Sequence, residues 1–256
     1  SVAEVIEQPI TEWDEFTGRL EAPQSVDIRP RVSGYIDRVA FSEGSLVKKG
    51  DLLFQIDPRP FQTEVKRLEA QLQQARANQA RAANEARRGE RLRQSNAISA
   101  ELADARASAA TEAQAQVAAI AAELENARLN LGFTRITAPI DGRVSRAEIT
   151  EGNLVAAGGA LLTTVVQSNP IWVRFSIAQN ELNSAMPEGR FSPKAVRGVE
   201  LVMPDGSVYP LRGKLNFASS QIDRSLGTVQ LRGEFENADG ALLAGQFVRA
   251  RLITGE

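Results

Sequence analysis

The sequence predicts an elongated, multidomain α+β chain: an antiparallel α-helical hairpin inserted in a split β-sandwich, followed by an antiparallel β-barrel. Three observations predict it. A glycine-punctuated segment occurs twice at one constant spacing: Gly34 matches Gly142, Glu43-Gly44 matches Glu151-Gly152, Leu46-Val47 matches Leu154-Val155, Gly50 matches Gly158 and Leu53 matches Leu161. Between the copies lies a long alanine-rich stretch with apolar residues at three-and-four spacing, the period of a helix. After the second copy, short apolar runs alternate with turn residues to the end of the chain, the pattern of a small antiparallel barrel.

Taken in order, residues 1–25 read as extended. Val2, Val5 and Ile6 begin a strand-like pattern, Pro9 interrupts it, and Phe16 to Leu20 resumes it. The segment near Phe16 is placed to supply one strand to the barrel before the chain enters the first β-copy. Residues 26–57 form short strands, with Val26, Ile28, Val32, Ile36, Val39 and Phe41 apolar and turns at Gly34, Ser42-Glu43-Gly44 and Lys49-Gly50-Asp51. The pattern changes at Asp57-Pro58. Asp57 can accept bonds from the free amides of a helix N-terminus, and Pro58 suits a first helical position. Leu68, Leu72, Ala75, Gln79, Ala82 and Ala86 mark the inner face of a first helix to Gln94.

Ser95-Asn96-Ala97-Ile98-Ser99 breaks the run, and a second helix follows. Ala113, Val117, Ile120, Leu124, Ala127 and Leu131 form its heptad-like seam, and Gly132 is expected to end it. Two runs of similar length with a short polar break predict an antiparallel hairpin. About 35 residues per helix gives a rod of roughly 50 Å. Residues 133–166 repeat the strand-and-turn pattern. Beyond them the sequence predicts a strand over Ile171 to Ile177 and a short helix over Ala178 to Met186. It then predicts a hairpin from Val199 to Tyr209 around Asp205-Gly206, and strands at Leu211 to Phe217, Thr228 to Phe235 and Gln246 to Ile253. The expected division is 11–25 with 167–256 for the barrel, 26–57 with 133–166 for the split sandwich, and 58–132 for the hairpin.

Composition removes several functions. The chain has no Cys, no His and two Met, so thiol chemistry, imidazole acid–base catalysis and soft-metal sites are excluded. A formal net charge of −2 argues against a general nucleic-acid binder. No apolar run approaches the roughly 20 residues of a membrane-spanning helix. Glu43 and Glu151 occupy equivalent turns of the repeat, so they read as turn residues rather than as a catalytic carboxylate pair. Gly158-Gly159 is followed by no Lys-Ser/Thr and no helix, so it is not a phosphate loop. Trp13 and Trp172 are expected in core or domain-edge packing. No cofactor or metal site is expected.

The paired β-halves resemble the lipoyl/biotinyl domain. Carrier versions bear a modified lysine on the hairpin between the halves. Here the α-hairpin stands in that place, and its one lysine, Lys66, lies within the first helix. The full order is similar to that of the periplasmic adaptors, or membrane fusion proteins, of tripartite efflux pumps, and closest to those of resistance-nodulation-division (RND) transporters. The resemblance is carried by Arg29-Pro30-Arg31-Val32-Ser33-Gly34 with Phe41 to Gly44, by Ile136 to Gly142, and most specifically by Leu242 to Leu252. It implies an adaptor, not an enzyme, that links an inner-membrane RND transporter to a TolC-like outer-membrane channel. It further implies export of drugs or other toxic compounds, a ring of six copies in the pump, and a periplasmic location. It implies an N-terminal membrane anchor outside this chain and a membrane-proximal β-domain, of which residues 1–10 are read as the first-strand stump. An adaptor of an ABC-type exporter is the alternative within the class; a lipoyl or biotinyl carrier subunit is the alternative outside it.

Adaptors of this family carry an Arg, Leu, Ser pattern at the hairpin tip, and Arg88, Leu92 and Ser99 fit its spacing. Arg88 and Leu92 are four apart, so they share a helix face. Ser99 stands where the second helix starts. An apolar anchor beside a guanidinium and a hydroxyl suits docking on a helical end with free carbonyls. The spacing alone favours Ser99 as a helix cap and Arg88 as a solvated side chain; it is the resemblance that implies the docking role, and Ser99 can serve both. Arg87, Arg88, Arg91 and Arg93 form a basic run, and no aromatic lies near them for base stacking. Gly89, inside the helix, is either a site of close helix approach or without a role.

Overall fold

The computed structural model describes residues 12–178, 196–223 and 225–255. The split sandwich is built from β2 (Ser25–Ile28), β3 (Gly34–Val39), β4 (Leu46–Val47) and β5 (Leu52–Ile56) of the first copy. The second copy adds β6 (Arg135–Thr137), β7 (Gly142–Val144), β8 (Leu154–Val155) and β9 (Thr163–Val166). They form two four-stranded sheets, ordered β2-β9-β7-β4 and β6-β5-β3-β8. Each sheet takes two strands from each copy, so neither copy can complete a sheet alone.

The exchange is reciprocal bond by bond. Leu46 faces Arg143 and Val47 faces Gly142; in the same way Leu154 faces Tyr35 and Val155 faces Gly34. The Gly44 N–H donates to Val144 O and the Gly152 N–H to Ile36 O; Gly50 N–H donates to Ala138 O and Gly158 N–H to Pro30 O, all at 2.8–2.9 Å. The two glutamates follow the same rule. Glu43 accepts the Ala147 N–H at 2.8 Å, and Glu151 accepts the Val39 N–H at 2.9 Å. They are locks between the copies. The shared core contains Ile36, Leu53, Phe54, Ile56, Val144, Leu162 and Val165.

One paired position needs correction. The residue equivalent to buried Leu53 is Leu162 rather than Leu161, which is half-buried. The backbone agrees, because Ala40 N–H donates to Leu53 O while Glu148 N–H donates to Leu162 O. The second copy carries one extra residue after Gly158, and the alternation of the strand then carries the slip forward.

The hairpin consists of α1 (Arg59–Gln94) and α2 (Ala100–Phe133). Pro58 occupies the cap position rather than the first helical one. Asp57 lies just before it and accepts the Arg59 N–H at 3.1 Å. The Arg59 guanidinium and this N–H hold the Asp57 carboxyl down at about 2. That contribution is complete above the ordinary carboxylate range and is lost as pH falls towards 2. At the far end α2 passes through Gly132 and stops at Thr134, whose hydroxyl donates to Leu131 O at 2.6 Å. Gly132 is not a left-handed terminator.

The seam runs where the period places it. Leu68, Leu72, Ala75 and Ala82 of α1 are buried with Ala113, Leu124 and Ala127 of α2, while Gln79, Ala86, Val117, Ile120 and Leu131 are half-buried. Large side chains are confined to the root, where Val65, Leu68, Leu72 and Leu124 cluster. Towards the tip the seam is alanine and glycine, which bury little apolar area. Backbone amides of residues 80–113 are therefore expected to exchange hydrogen at least about tenfold faster than those of 62–72 and 120–130. Hydrogen exchange read by mass spectrometry checks this; uniform protection along the rod would contradict it.

The barrel comprises β1 (Glu12–Glu21), β10 (Ile171–Ala178), β11 (Gly198–Val202), β12 (Lys214–Ala218), β13 (Thr228–Phe235) and β14 (Phe247–Gly255), in the order β11-β14-β1-β10-β13-β12 and antiparallel throughout. Val199 and Gly213 exchange two N–H···O bonds of 2.8 and 3.0 Å, which join β11 to the approach of β12 and close the ring. β1, the N-terminal segment, sits between β14 and β10. Leu20, Val173, Phe175, Leu201, Leu231, Phe235 and Leu252 fill the interior. Trp13 and Trp172 lie outside it, each beneath an arginine: Arg251 is 4.2 Å from the Trp13 ring and Arg232 is 3.8 Å from that of Trp172.

One expectation for this region changes. The Asp205-Gly206 turn forms, but its return arm makes only a bridge between Val202 and Val208 instead of a strand. The short helix expected over Ala178 to Met186 lies outside the described residues, except for Ala178, which ends β10. The proposed stump at residues 1–10 also lies outside them.

Between sandwich and barrel, Asn237 is buried and fully bonded. Its amide donates to Ser168 O and Leu242 O and accepts the Leu242 N–H, while its backbone N–H donates to the Asn169 side chain, all at 2.8–2.9 Å. Asn237→Ala would strand two buried backbone groups of Leu242 and the part-buried carbonyl of Ser168. It is expected to cost about 3 kcal/mol, visible as a lowered barrel transition in calorimetry; an unchanged transition would contradict it.

Candidate docking site at the hairpin tip

The tip is a tight connection with both helix ends satisfied. Asn96 takes the left-handed conformation, with φ of 56°, which asparagine tolerates better than most residues. Ala97 N–H then donates to Leu92 O at 2.8 Å and Asn96 N–H to Arg93 O at 2.9 Å. This pair of bonds is the usual way to satisfy the last carbonyls of a helix that ends in a left-handed residue. Ser99 is extended and its hydroxyl accepts the Leu102 N–H at 3.2 Å, so it caps α2. A hydroxyl can also donate, and the Ser99 hydrogen has no acceptor among the described residues.

Arg88 and Ser99 are exposed, and Leu92 is half-buried. The tip turn brings all three to the same end of the hairpin. The basic run divides. Arg93 pairs with Glu90 at 2.9–3.0 Å, which lowers the Glu90 carboxyl and raises the Arg93 guanidinium. Arg87 bonds the Asn84 side chain. Arg88 and Arg91 have no partner among the described residues.

Gly89 is buried because Arg106 of α2 lies across it. A Cβ added at position 89 would stand 3.0 Å from Arg106 Cδ. The close approach therefore comes from the chain's own second helix. Arg106 was not singled out in the sequence; its signal was a glycine inside a helix opposite an arginine at seam spacing. The arrangement supplies several hydrogen-bond donors around an apolar centre and contains no nucleophile–base pair. It is suited to binding a surface of acceptor oxygens.

A second concavity lies at the hairpin root, lined by Asp27, Arg29, Arg31, Arg128, Leu129 and Phe133. Its charges are largely committed: Arg29 donates to Gly159 O at 2.8 Å, Arg128 pairs with Glu69 at 2.8 Å, and Arg31 stacks 5.1 Å from the Phe133 ring. Among the described residues, no helix is long and apolar enough to cross a membrane.

Two family models match the chain: the RND MFP barrel-sandwich hybrid domain over residues 24–167, and the RND MFP beta-barrel domain over residues 170–256. The chain is 37% identical over 252 residues to the multidrug export protein AcrE of Escherichia coli, covering 96% of this chain and 66% of that protein. It is 40% identical over 255 residues to the toluene efflux pump periplasmic linker protein TtgD of Pseudomonas putida, covering 97% and 63%. A solved MacA-MexA chimeric protein containing the Pseudomonas aeruginosa MexA alpha-hairpin domain is similar, with a TM-score of 0.59 and 25% identity, over 96% of this chain and 83% of that one. The chain spans just under two-thirds of the length of AcrE and TtgD. With the first model spanning the sandwich and its inserted hairpin and the second the barrel, the chain belongs to the RND membrane fusion protein family.

Proposed function

We propose that the chain acts as a periplasmic adaptor, without catalytic activity, that joins an inner-membrane RND transporter to a TolC-like outer-membrane channel. Copies would assemble in a ring, six in number, and enclose the path by which drugs or other toxic compounds leave. The hairpin of residues 58–132 would reach the channel through Arg88, Leu92 and Ser99. The split sandwich of 26–57 with 133–166 and the barrel of 11–25 with 167–256 would together engage the transporter and neighbouring copies.

The observation that carries this reading is the tip. It presents unpaired guanidinium and hydroxyl donors around a leucine at one end of two helices, where solvation alone would not require that combination. AcrE is named as a multidrug export protein and TtgD as a periplasmic linker of a toluene efflux pump. The composition supports a non-enzymatic role, since it lacks His and Cys.

The test is complementation. The full-length protein is restored to a host strain lacking it, and accumulation of a fluorescent cationic dye is measured. Restored efflux that requires both the transporter and the channel is expected. Dye efflux that is indifferent to loss of the protein would contradict the reading.

A further inference from the structure

The tip has two unlike faces. Gly89 of α1 and Ala103 of α2 are both buried in the seam. Each helical residue turns by about 100° from the last. Because the helices are antiparallel, the residues just before these two, Arg88 and Leu102, fall on the same side of the hairpin. Those just after, Glu90 and Asp104, fall on the other.

The side of Glu90 and Asp104 is neutralised. Glu90 holds Arg93 and accepts a bond from Gln94, and Asp104 adds to the attraction on Arg93 across the hairpin. The side of Arg88 is not. It carries Arg88, Arg91 and Arg106, none with a counter-ion among the described residues. Glu85, the carboxylate one turn below Gly89 on this side, is held by Arg81 at 3.1 Å.

The same side carries the apolar groups of the tip. Leu92 lies one turn beyond Arg88, and Leu102 is 43% exposed at the start of α2. One exposed leucine is ordinary. Two leucines flanked by Ser99 and three uncommitted guanidinium groups have the composition of an interface centre, where arginine is enriched. Arg106 is held in place by the shape of the backbone, since it occupies the slot left by Gly89. Glycine is otherwise disfavoured inside a helix.

We infer that the hairpin docks through this one face, and that Leu102 and Arg106 are part of the docking surface with Arg88, Leu92 and Ser99. The partner is the periplasmic end of the channel, presenting an apolar notch ringed by acceptor oxygens. This rests on the adaptor reading above and adds the side of the rod that makes contact.

The test uses the full-length, anchored protein in intact cells that contain its transporter and channel. Ser99→Cys, Leu102→Cys and Asp104→Cys are labelled singly with a photoactivatable thiol reagent, and products are identified by mass spectrometry. The chain's lack of native Cys makes each label unique within it. Channel cross-links are expected from 99 and 102, with at least a fivefold lower yield from 104. In the Ser99→Cys background, Arg106→Gln is expected to lower the yield severalfold and Arg93→Gln to leave it unchanged. Equal yields from 102 and 104, with 99 still linking, would overturn the one-face inference and leave the adaptor reading standing. An unchanged yield with Arg106→Gln would remove Arg106 from the surface. No channel product from 99 would overturn both.

Discussion

Gly142→Ala is expected to destabilise the split sandwich by at least about 3 kcal/mol, at or beyond the upper end of ordinary overpacking. A Cβ at position 142 would stand 2.3 Å from Val166 O and 2.8 Å from its carbonyl carbon. Both are backbone atoms of β9, the strand paired with β7, so no side-chain rotation relieves the clash. Gly34, its counterpart in the repeat, would meet Ile56 Cγ2 at 2.6 Å. That is a side-chain atom, so Gly34→Ala is expected to cost less. Gly132 provides the control. It is helical, and an added Cβ would find nothing within 4 Å. Gly132→Ala is expected to stabilise the hairpin by about 1 kcal/mol. Calorimetry of the three variants checks the order. A Gly142→Ala protein that melts like the parent would contradict the close approach of β7 and β9.

Leu92→Asp is expected to reduce coupling to the channel at least about 30-fold, equivalent to the loss of a 2 kcal/mol hot spot. The side chain is half-buried, and a carboxylate there would be desolvated on docking. Folding should be little affected, because the backbone bonds that close the tip use the Leu92 carbonyl rather than its side chain. Dye efflux by cells carrying the full-length variant, compared with its melting temperature, separates the two effects. Parental efflux would remove Leu92 from the proposed site. Lost efflux with a melting temperature lowered by more than a few degrees would point to misfolding.

Much of the architecture was legible in the residues because strong local signals agreed. Helical period, a proline at the entry and a polar break located both helices. The repeated glycines located both β-copies. The rest depended on hydrogen-bond partners and side-chain positions, some local and some distant in sequence, that residue pattern alone does not give. The slip from Leu161 to Leu162 is set by strand alternation after Gly158, which pairwise matching cannot see. Gly132 looked like a terminator, yet Thr134 ends the helix with its own hydroxyl. The reciprocal glutamates were read as turn residues, which they are, but the N–H groups that donate to them lie in the opposite copy. At the tip, the resemblance to the adaptor pattern picked out Arg88, Leu92 and Ser99, while spacing alone favoured Ser99 as a cap, which it is. The distinction between Arg88, unpaired, and Arg93, paired with Glu90, needed side-chain positions. So did Arg106 in the Gly89 slot.

The measurement that tests the central proposal most directly works along the rod. Ser99→Cys at the tip and Gln73→Cys at mid-hairpin are each introduced into the full-length, anchored protein, and site-specific cross-linking to the outer-membrane channel is read in intact cells. The account predicts a channel product from position 99 and none from position 73. A product from 73 but not from 99, in a folded protein with the pump present, would contradict docking through the tip.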